Sequence, residues 1–290
     1  MNATPSIFRC PQCHAPLDQL KSCSSCGFEV VEADGIPLLI KDKAVVDSAI
    51  AAAKSAGLIH WYDGQQADQW RGPFRHHLLK RRAYVDGLLS RFAAAAKRPL
   101  TGVDLGCGDG THLRHLHGFV ADLYASDYNL VRLPRARALN ETRCVFLADI
   151  TNYPVRDNAF DVIFFNHVIE HIPDDGAALA EAYRILKPGG LLVLGTPNEG
   201  VWFWQLAYRL QPRMLRASDH VQFYTAETLS QKCRAAGFVV QEVKRIGYGV
   251  PHWTLDAGLR QFKILDDLFE TVGQTVFPEQ ATSLYLSLSK

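Results

Sequence analysis

The fold is decided by nine residues, Val103-Asp104-Leu105-Gly106-Cys107-Gly108-Asp109-Gly110-Thr111. An apolar run over 99–105 breaks into three glycines at every second position, then resumes as a short helical pattern with Leu113 and Leu116. A strand, a glycine turn and a helix start are the parts with which an open α/β sheet binds a ligand, outside the carboxyl ends of its strands. The glycines let the backbone take positive φ and approach the ligand closely. The helix start supplies unpaired N–H groups.

Spacing narrows the ligand. A dinucleotide fingerprint, Gly-x-Gly-x-x-Gly, needs a glycine where Thr111 stands, and no Gly-Lys-Ser/Thr follows to make a phosphate loop. An acid just ahead of the turn is a poor neighbour for phosphates and a good one for a cationic ligand. The pattern Asp104-x-Gly106-x-Gly108-x-Gly110 resembles the first motif of class I S-adenosylmethionine-dependent methyltransferases, whose cofactor carries an ammonium and a sulfonium but no phosphate. The resemblance implies a Rossmann-like α/β fold with a seven-stranded, mostly parallel sheet. It also puts Asp104, Gly106, Cys107, Gly108 and Gly110 around the cofactor.

From Leu100 onward, strand and helix patterns alternate, which argues a parallel sheet covered on both faces. The second strand, 122–126, is followed by Asp127 and Tyr128, with Asp127 placed 17 residues after Gly110. An acid at that strand tip can accept both ribose hydroxyls. The third strand, 144–148, ends at Asp149-Ile150, and the family resemblance assigns Asp149 to the adenine amino group and Ile150 to the ring face. Three acids at three successive strand tips make S-adenosylmethionine the expected cofactor. The fourth strand, 160–165, is nearly all apolar, as a central buried strand should be.

That fourth strand runs into Asn166-His167-Val168-Ile169-Glu170-His171-Ile172-Pro173, which resembles the matching segment of ubiquinone-pathway O-methyltransferases. The resemblance implies that Asn166 and His167 border the cofactor. In some quinone-pathway members the Glu-His pair, with another Glu three residues earlier, binds a divalent metal. Here the earlier position is His167, a departure from that pattern. Leu186-Lys187-Pro188-Gly189-Gly190 reads as a turn into a fifth strand over 191–195. The phrase His220-Val221-Gln222-Phe223-Tyr224-Thr225 resembles one shared by small-molecule, quinone and glycan methyltransferases. It leads into a helix over 226–236 that Gly237 closes. Residues 239–246 and 283–289 read as an antiparallel final pair, with one amphipathic helix between them carrying Leu255, Leu259, Phe262, Leu265, Phe269 and Val272.

Four of the seven cysteines fall early, as Cys10-x-x-Cys13 and, nine residues on, Cys23-x-x-Cys26. Two such knuckles can present four thiolates tetrahedrally to zinc. The segment looks like the zinc ribbon ahead of some bacterial methyltransferase domains, among them a ribosomal RNA guanine methyltransferase family. Its Asp34-Gly35-Ile36-Pro37-Leu38-Leu39 end resembles small ribbon subunits that activate other methyltransferases. An RNA-gripping ribbon should be basic, yet Arg9 and Lys21 stand against Asp18, Glu29, Glu32 and Asp34. A structural or protein-docking role suits it better.

The resulting division is a zinc ribbon over 1–42, a helical segment over 43–98 and the methyltransferase domain over 99–290, with insertions near 199–219 and 248–279 expected as lids. In the helical segment, 44–56 is alanine-rich, and 74–92 carries a stripe of Leu78, Leu79, Tyr84, Val85, Leu88 and Leu89. The aromatics Trp61, Tyr62 and Trp70 either touch the cofactor or pack on the sheet. The basic run Arg75, His76, His77, Lys80, Arg81 and Arg82 is most often a solvated helix face and less often binds an anionic substrate group.

A net charge of +1 gives no whole-molecule field for nucleic acid or an anionic membrane. No apolar run approaches the length of a membrane span, and the opening residues have no signal-peptide character, so a cytoplasmic location is expected. Methyl transfer to an oxygen or carbon of a small-molecule, quinone-like, lipid-linked or sugar acceptor is the leading expectation. The aromatics Trp202, Phe203, Trp204 and Tyr208 suit a flat or lipophilic one. His220 is the first choice of general base and His171 the second. An RNA methyltransferase and a non-catalytic cofactor-binding partner are the alternatives.

Overall fold

The computed structural model describes residues 7–17, 20–42, 44, 70–202, 205–206, 209, 220–250 and 252–290. Of the expected helix over 44–56 only Ala44 is described, and Trp61, Tyr62, Phe203, Trp204 and Tyr208 lie outside the described residues.

A single mixed sheet organises the chain. Its first two strands, β1 (Val31–Ala33) and β2 (Ile36–Leu39), form a hairpin whose turn residues Asp34 and Gly35 both have positive φ, as a tight two-residue hairpin requires. Helix α1 (Arg75–Ala96) follows, then β3 (Thr101–Leu105), α2 (Leu113–His117), β4 (Asp122–Asp127), α3 (Leu133–Ala138) and β5 (Cys144–Ala148). After it come β6 (Phe160–Asn166), α4 (Asp175–Ile185), β7 (Leu186–Pro197), α5 (Ala226–Ala235) and β8 (Val239–Ile246). Helices α6 (Trp253–Arg260) and α7 (Lys263–Val276) and strand β9 (Ser283–Ser289) complete the described chain.

The strand order is β1-β2-β5-β4-β3-β6-β7-β9-β8, parallel from β2 through β7 and antiparallel at both ends. Strands β3 to β9 are the seven that the sequence implies. The ribbon hairpin adds two more, because Leu38 and Leu39 pair in parallel with Leu147 and Ala148 of β5. The ribbon is thus part of the sheet rather than a satellite. Chain order runs outward from β3 through β4 to β5, then reverses at β6, so the crevice opens where β3 and β6 part.

Alternation along β6 builds both faces of the core. Ile163 and Phe165 pack on one side with the ribbon's Ile7, Phe8, Leu17 and Cys23, while Val162 and Phe164 pack on the other with α1's Val85, Leu88 and Leu89. At the foot of the same strand, Asp161 is 2% exposed and receives Arg98 Nη2 at 2.5 Å, Lys187 Nζ at 2.9 Å and the Thr101 N–H at 3.0 Å. Although burial alone would push its carboxyl up, these partners hold it down to about 2.

Two expectations are corrected. The Lys187–Gly190 stretch is not a turn preceding a strand; it lies within β7, where pairing jumps from Phe160↔Leu186 to Val162↔Leu191. The single amphipathic helix is two, because Phe262 is extended and breaks it. The break lets Arg260, 2% exposed, reach both Asp256 at 2.9 Å and Asp266 at 3.3 Å. Of the expected apolar stripe, Leu255, Phe262 and Val272 are exposed. No helix among the described residues is long and apolar enough to cross a membrane.

Candidate active site

A chamber of about 1070 Å³ opens above the β3 and β6 tips. Its floor is the glycine turn. Gly106 and Cys107 donate their N–H groups to the Ser126 carbonyl at 2.8 and 3.0 Å, which ties the turn to the end of β4. Gly106 has φ of +78°, and a methyl group there would overlap the Val168 side chain, so the turn admits only glycine. Gly108, at φ +55°, donates to Asp127 Oδ2 at 2.7 Å. The other oxygen of Asp127 accepts from Asn129 N–H at 2.7 Å, fixing the carboxylate at the strand tip.

Asp149 is positioned by its own turn. One of its oxygens accepts from the Thr151 N–H at 2.8 Å and the Thr151 hydroxyl at 2.7 Å, capping the 3-10 turn Ile150–Asn152. The ribbon grips that same turn from behind: Asn152 Nδ2 donates to the Pro11 carbonyl at 3.0 Å, and His14 Nε2 lies 3.1 Å from Asn152 Oδ1.

Of the expected cofactor residues, Gly106, Cys107, Gly108, Asp127, Tyr128, Asp149, Ile150, Asn166 and His167 line the chamber, and Asp104 and Gly110 do not. Gly110 serves packing instead: a side chain there would meet Leu113, Ala136 and Leu139. Asp104 is buried beneath the turn, 2% exposed, and its Oδ2 has no hydrogen-bond partner. Burial first, and then the charge of Asp127, pushes its carboxyl up to about 8. Burial likewise raises the Cys107 thiol, which is a small wall residue and not a nucleophile.

The other half of the chamber is walled by Trp70, by Leu78, Arg81, Arg82 and Val85 of α1, and by His112, Phe164, Glu170, His171, Pro197, His220 and Tyr285. The two expected base candidates come together, their rings 5.0 Å apart. Backbone hydrogen bonds do this, because Val221 and Gln222 both donate to the Glu170 carbonyl, at 2.9 and 3.0 Å. His220 Nδ1 is also 3.5 Å from Glu199 Oε1. Glu170, His171 and His220 hold their ligand atoms within 4.8 Å of one another. His112 is a poor base, since burial pushes it down to about 3.

His167 has a positive φ of 54° and uses both ring nitrogens. Its Nε2 faces Arg81 Nη1 at 3.1 Å, and its Nδ1 faces Glu170 Oε1 at 3.3 Å. A guanidinium can only donate, so Nε2 accepts and Nδ1 carries the proton to Glu170. Among the described residues of 199–219 and 248–279 none lines the chamber, and α7 braces α1 through Asp267 Oδ1, 3.0 Å from Lys80 Nζ. Sequence reading missed Tyr285 and Phe164 as wall residues, because inward strand positions look alike whether they face core or cavity.

The four ribbon cysteines form a separate cluster, with Cys10 Sγ 3.6 Å from Cys26 Sγ and Cys13 Sγ 3.5 Å from Cys23 Sγ. These distances exclude disulfides, whose sulfurs are about 2.05 Å apart. They suit one tetrahedral zinc, whose bonds of about 2.3 Å put sulfurs about 3.8 Å apart.

A family model described as a methyltransferase domain matches residues 74–243. The chain belongs to this methyltransferase-domain family. It is similar to a malonyl-acyl-carrier-protein O-methyltransferase of Pseudescherichia vulneris, 30% identical over 124 residues that cover 43% of this chain and 49% of the relative. A ubiquinone/menaquinone biosynthesis C-methyltransferase of Desulfotalea psychrophila is 28% identical over 170 residues, covering 51% of this chain and 69% of its own. Several such relatives are matched over less than half of their length. Among solved structures, a methyltransferase-type protein of Bacillus halodurans superposes with a TM-score of 0.51 at 19% identity, covering 70% of this chain and 98% of that one. That likeness supports the Rossmann-like fold.

Proposed function

We propose that the protein transfers a methyl group from S-adenosylmethionine to an oxygen or carbon of a small-molecule acceptor. The observation that carries this reading is the joining of two half-sites in one chamber, the glycine turn with Asp127 and Asp149 on one side and the His171–His220 pair on the other. The chamber's volume is at the top of the range for single-ligand pockets, which leaves room for a donor and an acceptor together. A nucleoside suits the first half: Asp127 would accept from ribose hydroxyls and Asp149 from an adenine amine, while Asp104, buried behind the turn, would attract an ammonium through its charge rather than by contact. When bound, the cofactor supplies a methyl group activated by a sulfonium leaving group.

The chain's own part is alignment. The turn and strand tips fix one partner, α1 and the β6 tip fix the other, and water is displaced from between them. His220 takes the proton of a hydroxyl acceptor, and His171, in ring contact with it, is the alternative. With a divalent cation present, Glu170, His171 and His220 would hold it instead, and it would polarise an acceptor oxygen in place of a histidine base. Four cysteines with the spacing of a tetrahedral site would hold zinc in a structural role.

Relatives named as O- and C-methyltransferases support the small-molecule reading over an RNA one. The test is turnover of methyl-labelled cofactor with a panel of phenolic, quinol and carboxylic acceptors. His220→Ala should lower kcat about 100-fold or more while leaving S-adenosylhomocysteine affinity unchanged. A metal-replete protein that binds S-adenosylhomocysteine but methylates nothing in a broad extract would favour the non-catalytic alternative.

A further inference from the structure

Leu78, Arg81, Arg82 and Val85 stand at helical spacing along one face of α1 and line the acceptor half of the chamber. Arg81 differs from the other cations near it. Lys80 pairs with Asp266 and Asp267, Arg82 with Asp86, and Arg260 with Asp256 and Asp266. Arg81 has no such carboxylate among the described residues. Its Nη1 donates to His167 Nε2 at 3.1 Å, its Nη2 donates to the Ser283 hydroxyl, and the Tyr285 hydroxyl lies within its reach. Its Nε is buried with no partner at all.

Two carboxylates, Glu270 and Glu170, act on Arg81 only through space, and Glu170 faces it across His167. Glu170 receives the His167 Nδ1 proton and, through its second oxygen, the Thr196 hydroxyl at 3.1 Å. A guanidinium whose direct contacts are all neutral groups lacks a contacting counter-charge, and a buried unpaired cation is costly. The missing partner must come from whatever fills the chamber.

We infer that Arg81 binds a carboxylate carried by the methyl acceptor, seating the acid against α1 and the start of β9 so that the reacting atom faces the His171–His220 pair. This rests on the methyltransferase reading above and names the class of its substrate. Carboxylate fits better than phosphate: Arg81 supplies a single charge, Arg82 on the same wall being held by Asp86, and Leu78, Val85 and Phe164 of the chamber lining are apolar. The His167 contact holds the fork in place, which explains why His167 keeps an unfavourable backbone conformation.

The experiment is calorimetry on the metal-replete full chain saturated with S-adenosylhomocysteine. Benzoate, 4-hydroxybenzoate and octanoate are each compared with the corresponding amide. At least one carboxylate should bind about tenfold or more tightly than its amide, as a charge-assisted pair predicts. Arg81→Gln should erase that preference with unchanged S-adenosylhomocysteine affinity, and Arg81→Lys should restore part of it. Equal binding of every acid and amide pair, or a preference that survives Arg81→Gln, overturns the inference while leaving the methyltransferase reading intact. No heat with S-adenosylhomocysteine itself, in protein that melts cooperatively, overturns both.

Discussion

Replacing Asp104 tests the cofactor half of the site with a number attached. Its carboxyl is pushed up to about 8 in the free protein. At pH 6 about 1% of it is ionised and at pH 7 about 10%. Only the ionised form attracts the α-ammonium of the cofactor. Affinity for S-adenosylhomocysteine should therefore tighten about tenfold from pH 6 to 7, roughly 1.4 kcal/mol, and level off near pH 8. Calorimetry in buffers of different ionisation enthalpy should find about one proton released per site at pH 7. Asp104→Asn should flatten the profile and bind at every pH about as weakly as the unmodified protein does at pH 6. The sign for stability is opposite: a carboxyl raised in the folded state favours folding below its ordinary value of 3.8 and loses that contribution as pH rises to about 8. The free protein should thus melt lower at pH 8 than at pH 6, and ligand should raise its midpoint most at pH 8. A flat binding profile, or an unchanged slope in Asp104→Asn, would refute the reasoning.

Three further outcomes follow from the geometry. Removing metal with a chelator, or replacing Cys13 by serine, should lower the thermal midpoint and also weaken S-adenosylhomocysteine binding, because the ribbon holds the turn behind Asp149; Asn152→Ala should weaken binding alone, at about 1 kcal/mol per hydrogen bond lost. Gly106→Ala should abolish detectable cofactor binding and cost roughly 1–3 kcal/mol in urea denaturation, and adding Val168→Ala should recover part of the stability and little of the binding. Asp161→Ala should cost about 2 kcal/mol by the same assay, less than a fully buried pair because Arg98 is half exposed. The contribution of Asp161 is present above pH 3.8 and should vanish as pH falls through about 2, so the variant and the parent should converge in strong acid.

What could be read from residue order alone divides cleanly by range. The glycine turn and the acids at 127 and 149 are local features, each written within a few residues of a strand end, and all were legible. The Arg81–Ser283 contact joins residues 202 apart, and nothing in either neighbourhood signals the other. The basic run at 75–82 looks the same in sequence whether it faces water or a cavity; packing of α1 over the β6 tip decides that Arg81 faces inward. The break at Phe262 escaped detection because its apolar spacing continues the helical period. The break lets Arg260 turn inward between two aspartates, a tertiary arrangement that overrides local preference. Burial of Asp104 behind the turn, rather than at the chamber wall, was equally out of reach, since strand alternation fixes a face but not depth.

The parallel pairing of Leu38–Leu39 with Leu147–Ala148 has a practical consequence for anyone dissecting the protein. Cutting away residues 1–42 would not liberate a minimal catalytic body. It would strip the flank of β5 and leave a row of unsatisfied amides and carbonyls beside Asp149, an invitation to self-association. The four-cysteine segment therefore works as a selvedge, finishing the woven edge so that the fabric does not unravel beside the Asp149 turn.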